Sequence, residues 1–142
     1  MTDGLLLSKS HYPPSETIDR LAEAVIERGM KVFSRIDFAA DAAEAGQCLE
    51  TTILLVFGNP KVGTALLQQN QQSGIDLPLK ALAYTSGDEH WLAFNAPSFI
   101  AIRHGVENAP VLERMTGALR SAVDQAVNLC SQGADEGRKG GT

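Results

Sequence analysis

The chain has 142 residues, 44% of them hydrophobic and 20% charged, which suits one globular domain with its own core and excludes a disordered or fibrous chain. Seventeen acidic against twelve basic residues give a net charge of −5, which disfavours a general electrostatic grip on nucleic acid or on an anionic membrane. The start, Met1 to Gly4, is acidic, the following apolar run is only Leu5 to Leu7, and nothing approaches the ~20 apolar residues that span a bilayer. A soluble cytoplasmic domain is expected.

Leu5 to Tyr12 reads as an extended segment stopped by Pro13 and Pro14. Ser15 is the expected N-cap of a helix whose apolar face is Ile18, Leu21, Ala22, Val25 and Ile26, with Gly29 closing it. Asp19, Arg20, Glu23, Glu27 and Arg28 mark its wet side. Lys31 to Asp37 is a short strand, and the alanine-rich Phe38 to Ala45 a short helix closed by Gly46. The uninterrupted apolar run from Ile53 to Phe57, within a strand from Thr51, predicts a central strand buried on both faces.

Gly58 breaks that strand. Asn59 then fits an N-cap, with Pro60 at the first helical position of a helix reaching about Asn70. A polar exit, Gln68 to Ser73, follows. Leu79 to Tyr84 and His90 to Phe94 flank a polar turn and predict a hairpin, and Ser98 to His104 is expected to be a third strand. Pro110 to Ser131 carries the strongest helical periodicity, with Val111, Leu112, Met115, Leu119, Ala122, Val123, Ala126 and Val127 in its stripe. Residues 1–131 thus form a single domain, and 132–142 read as a flexible tail. The order β-α-β-(short α)-β-α-β-β-β-α predicts an α+β fold with a mixed or antiparallel sheet and helices gathered on one face.

Two stretches are distinctive: Phe57-Gly58-Asn59-Pro60-Lys61-Val62-Gly63-Thr64, and Gly74-Ile75-Asp76-Leu77-Pro78-Leu79-Lys80. Together, and in this order, they resemble the signatures of the family of domains of unknown function numbered 302 (DUF302). The resemblance runs from the Glu16-Thr17 helix start through Val32 to Asp37 and on to the last helix. It implies a TATA-binding-protein-like α+β fold with a curved sheet, and a homodimer; it implies no settled activity. The chain departs from the family at Phe38, where many members carry His, and at Glu50-Thr51-Thr52, where many carry Pro before the strand. A role for that His is therefore not carried over.

The first motif runs a buried strand into a glycine turn and a helix start, whose free N–H groups are a ready anion site when exposed. Gly58-x₄-Gly63-Thr64 superficially resembles a phosphate loop, but the Lys before Thr is missing and Pro60 removes a donor. A plain capped helix packed on the sheet is the competing reading. In the second motif Asp76 could accept from turn N–H groups, and Lys80 could join Lys61 around an anion or pair with Asp76; a simple turn is the alternative. His11, His90, His104, Cys48 and Cys130 have no metal-ligand spacing, so neither a metal nor a cofactor is expected. The cysteines read as small buried hydrophobes. Trp91 and Tyr84 in the hairpin are expected to be half-buried on a sheet face.

These readings converge on a non-enzymatic homodimeric module for a small anionic ligand or a partner protein, with Asn59, Lys61, Thr64, Asp76 and Lys80 at the site and no nucleic acid or membrane as partner. A small hydrolase or lyase on an anionic substrate, with Asp37 or Asp76 as base, is the runner-up. A purely structural dimer is the third.

Overall fold

The computed structural model describes residues 2–107 and 109–129. Cys130 and the expected tail, 132–142, lie outside the described residues. Five strands, β1 (Leu5–Ser10), β2 (Lys31–Asp37), β3 (Thr52–Gly58), β4 (Leu79–Ser86) and β5 (Glu89–Asn95), form one sheet in the order β1-β5-β4-β3-β2. Every neighbouring pair is antiparallel. The helices are α1 (Pro14–Glu27), α2 (Phe38–Glu44), α3 (Pro60–Gln69), α4 (Pro97–His104) and α5 (Ala109–Val127), with a 3-10 turn at Gln71–Asp76. The architecture is α+β, as the element pattern predicts.

Alternation along the strands separates two faces. The inner face carries Ile53, Leu55, Phe57, Leu79, Ala81, Ala83, Leu92 and Phe94, all buried. Against it pack Ile18, Leu21, Ala24 and Val25 of α1 and the stripe of α5 from Val111 to Val127, in one continuous core. Burying this much apolar surface on one sheet face is the main term holding the domain together. The predicted α5 stripe is confirmed, whereas Ile26 of α1 is exposed and Ala24 takes its place in the core.

Several expectations are corrected. The segment Ser98 to His104 is helix α4, not a third strand: Pro97 occupies the first turn, Ile100 and Ala101 are buried while Ile102 is exposed, and Gly105 closes it with φ +64. That burial follows a helical period, not an alternation. The N-cap of α1 is Pro13, and Ser15 instead accepts from Arg35. Strand β3 lies second from the edge and buries alternate residues, leaving Leu54 and Val56 half-exposed on the outer face. Arg20 does more than face water: its guanidinium donates to the carbonyls of Gln125, Ala126 and Asn128. It thereby satisfies the acceptors left free at the end of α5. Cys48 is exposed, not buried.

Candidate functional site

A cavity of about 580 Å³ opens where β3 ends and α3 begins. One wall is the first motif, Gly58, Asn59, Pro60, Val62, Gly63 and Thr64, continued by Leu67 further along α3. Opposite it, Gly74, Leu77, Pro78 and Leu79 bring in the second motif, and the Leu77–Pro78 peptide is cis. A methyl group added at Gly58 would meet the Pro78 ring at 3.5 Å, an ordinary van der Waals contact, whereas one at Gly74 would press to 3.1 Å from the Leu67 side chain of α3, so the close approach there favours glycine. Met30 and Phe33 close one side, and Arg114, Met115 and Ala118 of α5 the other, with Arg28 at the end of α1. The walls are mainly apolar, and the volume is that of a site for a small organic molecule.

Two arginines supply the positive charge. Arg28 is held in place: its Nη1 donates to the Ala24 carbonyl at 2.8 Å and its Nη2 to Ser121 Oγ at 2.7 Å. Its acidic neighbour, Glu27, is 3.9 Å away. The Arg114 guanidinium makes no hydrogen bond or ion pair with any of the described residues. A guanidinium at the edge of an apolar cavity, without an acid to neutralise it, is suited to pairing with a carboxylate, sulfonate or phosphate.

Of the five residues expected at the site, Asn59 and Thr64 line the cavity, and Lys61, Asp76 and Lys80 do not. Asn59 caps α3 as predicted, its Oδ1 accepting from the Lys61 N–H at 3.0 Å. That cap and the Gly63 N–H bond to the Asn59 carbonyl occupy two first-turn donors, and Pro60 has none. The helix start is thus poorer in free donors than an anion site requires. Lys80 points from the outer face and donates to the Pro78 carbonyl at 3.3 Å.

Asp76 takes neither partner expected of it, turn N–H groups nor Lys80. Its Oδ2 accepts from Arg103 Nη1 at 2.7 Å and faces His104 Nε2 at 2.5 Å. Asn70 Nδ2 adds a bond to the His104 carbonyl, so α4 and the 3-10 turn are clasped together. The His104 hydrogen bond, followed by the hydrogen bond and charge of Arg103, holds the Asp76 carboxyl below its ordinary 3.8 against the opposing effect of burial. A general base needs the opposite shift and a place in the cavity, so Asp76 is corrected to a structural clasp. Asp37 caps α2 by accepting from the Ala40 N–H. Among the described residues no three of His, Cys, Asp and Glu come together as a metal site would need.

The sequence reading missed Arg28, Met30, Phe33, Arg114, Met115 and Ala118. Arg28 follows an acidic residue on the wet side of α1, and Arg114 lies on the polar side of the α5 stripe. No local signal distinguishes either from an ordinary solvated residue; only the approach of α5 to the two motifs does.

The family model described as "Domain of unknown function DUF302" matches residues 8–122. A crystal structure of an uncharacterized conserved protein DUF302 from Bacillus stearothermophilus superposes with a TM-score of 0.78 at 19% identity, covering 88% of this chain and 99% of that one; it speaks for the fold alone. Two curated relatives, each described as fluoride-specific ion channel FluC 1, come from Brucella suis biovar 1 (strain 1330) and Brucella abortus biovar 1 (strain 9-941). Each is 43% identical over 104 residues, 72% of this chain but only 41% and 38% of theirs. The chain therefore spans about two fifths of the relatives it matches. Among the described residues, no helix is long and apolar enough to cross a membrane.

Proposed function

The chain belongs to the DUF302 family, and from that premise we propose that it is a cytoplasmic binding module for a small molecule with an apolar body and one anionic group. The observation that carries this reading is the 580 Å³ cavity: apolar walls from both family motifs, and Arg114 at its edge without an acidic partner among the described residues. The apolar body would leave water in the cavity, and the anion would take the two arginines in place of solvent. Asn59 and Thr64 would line the ligand from α3, while Lys61 and Lys80 would add only distant charge. The module is proposed to act as a homodimer.

Titration with 1-anilinonaphthalene-8-sulfonate, an aromatic anion of suitable size, tests the site. Wild type should bind one probe per chain with blue-shifted emission. Arg114→Ala should weaken binding about tenfold, the effect of losing ~1.4 kcal/mol from one charge-assisted contact, and Ala118→Trp should abolish it by filling the cavity. Equal affinity in all three proteins would refute the site.

The curated relatives favour a second reading, in which such a module serves a membrane channel by reporting a cytoplasmic ligand to it. Cells deprived of this protein should then grow more poorly in sodium fluoride than their parent. Unchanged growth would set this reading aside and leave the binding site untouched.

A further inference from the structure

Pairing across the sheet puts Ile36, Leu54, Leu82, Ala93 and Leu7 opposite one another in a single row on the outer face, one residue from each of the five strands. Tyr84 and Trp91 form the next pair of the same face. An antiparallel sheet with one solvated face alternates apolar with polar residues. Here the alternation fails, because both faces are apolar through the middle of the sheet. Helices α1 and α5, which build the core, lie on the inner side. Among the described residues the row has no such layer: Leu7 is 48% exposed and Leu54, Leu82, Tyr84 and Trp91 are only partly buried, the small Ala93 alone being buried at 4%, whereas the apolar inner-face residues of β3, β4 and β5 are at 6% or less.

We propose that this outer face is the contact between two copies of the chain, packed sheet against sheet about a two-fold axis. The inference rests on the homodimer reading and assigns its surface. Three features fit a second copy as the occupant. The centre of the face is uncharged, and its charged residues, Lys9, Lys31, Lys80 and Glu89, stand at or next to strand ends. A patch of that kind can meet itself without burying an unpaired charge, as an isologous contact requires. Lys9 is moreover already paired with Glu89 at 2.7 Å. Finally, five strands at the usual spacing make a face of about 24 by 23 Å, roughly 550 Å² before side-chain relief is counted. That approaches the ~800 Å² of accessible surface per partner in a stable pair, and two twisted sheets pack face to face in this manner in many folds.

Trp91 is the only tryptophan of the chain, so the proposed contact carries its own probe. Light scattering should give wild type twice the 15.2 kDa chain mass, with Trp91 emission moving to longer wavelength on dilution. Leu82→Glu, outside the ligand cavity, should give a folded monomer by circular dichroism and scattering, with Trp91 at the long-wavelength position at every concentration. Phe33→Ser, on the edge strand, should remain a dimer. A wild-type monomer at high concentration would overturn both the homodimer and its surface; a Leu82→Glu dimer would overturn the surface alone. Should Leu82→Glu fail to fold, acrylamide quenching of wild-type Trp91 decides. At least a threefold drop from dilute to concentrated protein supports the contact, and quenching unchanged across the monomer–dimer transition overturns it.

Discussion

Asp76 joins the 3-10 turn to α4 through Arg103 and His104, and its carboxyl is therefore easier to ionise in the folded chain than in the unfolded one. A carboxyl with a depressed folded pKa contributes its stability above the unfolded value. That contribution should be complete above about pH 3.8 and be lost as pH falls through the lower folded value. Asp76→Asn should cost about 1 kcal/mol at neutral pH, an amount reduced from a buried charged hydrogen bond because the side chain is 23% exposed. Urea denaturation at pH 7 and pH 3 measures both: the gap between variant and wild type should narrow at the lower pH. A gap that widens on acidification would contradict the clasp. The sequence pointed to Asp76 as notable, but its partners lie 27 and 28 positions away, and no spacing rule joins a turn to a helix at that distance.

Element by element, the sequence was most legible where a period was long and clean. The α5 stripe and the capped start of α3 follow directly from helical spacing and from Asn59-Pro60. Helix α4 was misread because Phe99, Ile100 and Ile102 are β-favouring residues in a short segment, where propensity outweighs period. What ends that helix is Gly105 at φ +64, a conformation an L side chain resists. A methyl group at Gly105 meets nothing within 4 Å, and the same holds at Gly117 within α5, so backbone preference alone governs both positions. Gly105→Ala should destabilise the chain by about 1 kcal/mol, and Gly117→Ala should stabilise it by up to about 1 kcal/mol. Thermal melting of the two variants should therefore move in opposite directions from wild type; shifts of the same sign would contradict this account.

For the whole molecule, the −5 net charge coexists with a positively flanked cavity, because the relevant charges are local: Arg28 and Arg114 converge on it from α1 and α5. Both motifs contribute walls of the cavity through their glycines and Pro78, although Lys61, Asp76 and Lys80 of the expected set lie outside it. The motifs did not announce its charge, which comes from helices that only the tertiary fold brings near. The apolar run of β3 predicted burial on both faces, whereas among the described residues only its inner face is covered and Leu54 and Val56 stay half-exposed. The cavity is proposed to receive an anion with an apolar body. Two-dimensional amide NMR during titration with 1-anilinonaphthalene-8-sulfonate tests it most directly. Saturating shifts are expected at Gly58, Gly63, Gly74 and Ala118, with Leu82 and Trp91 unmoved; shifts confined to Leu82 and Trp91, or none at saturation, would refute the site.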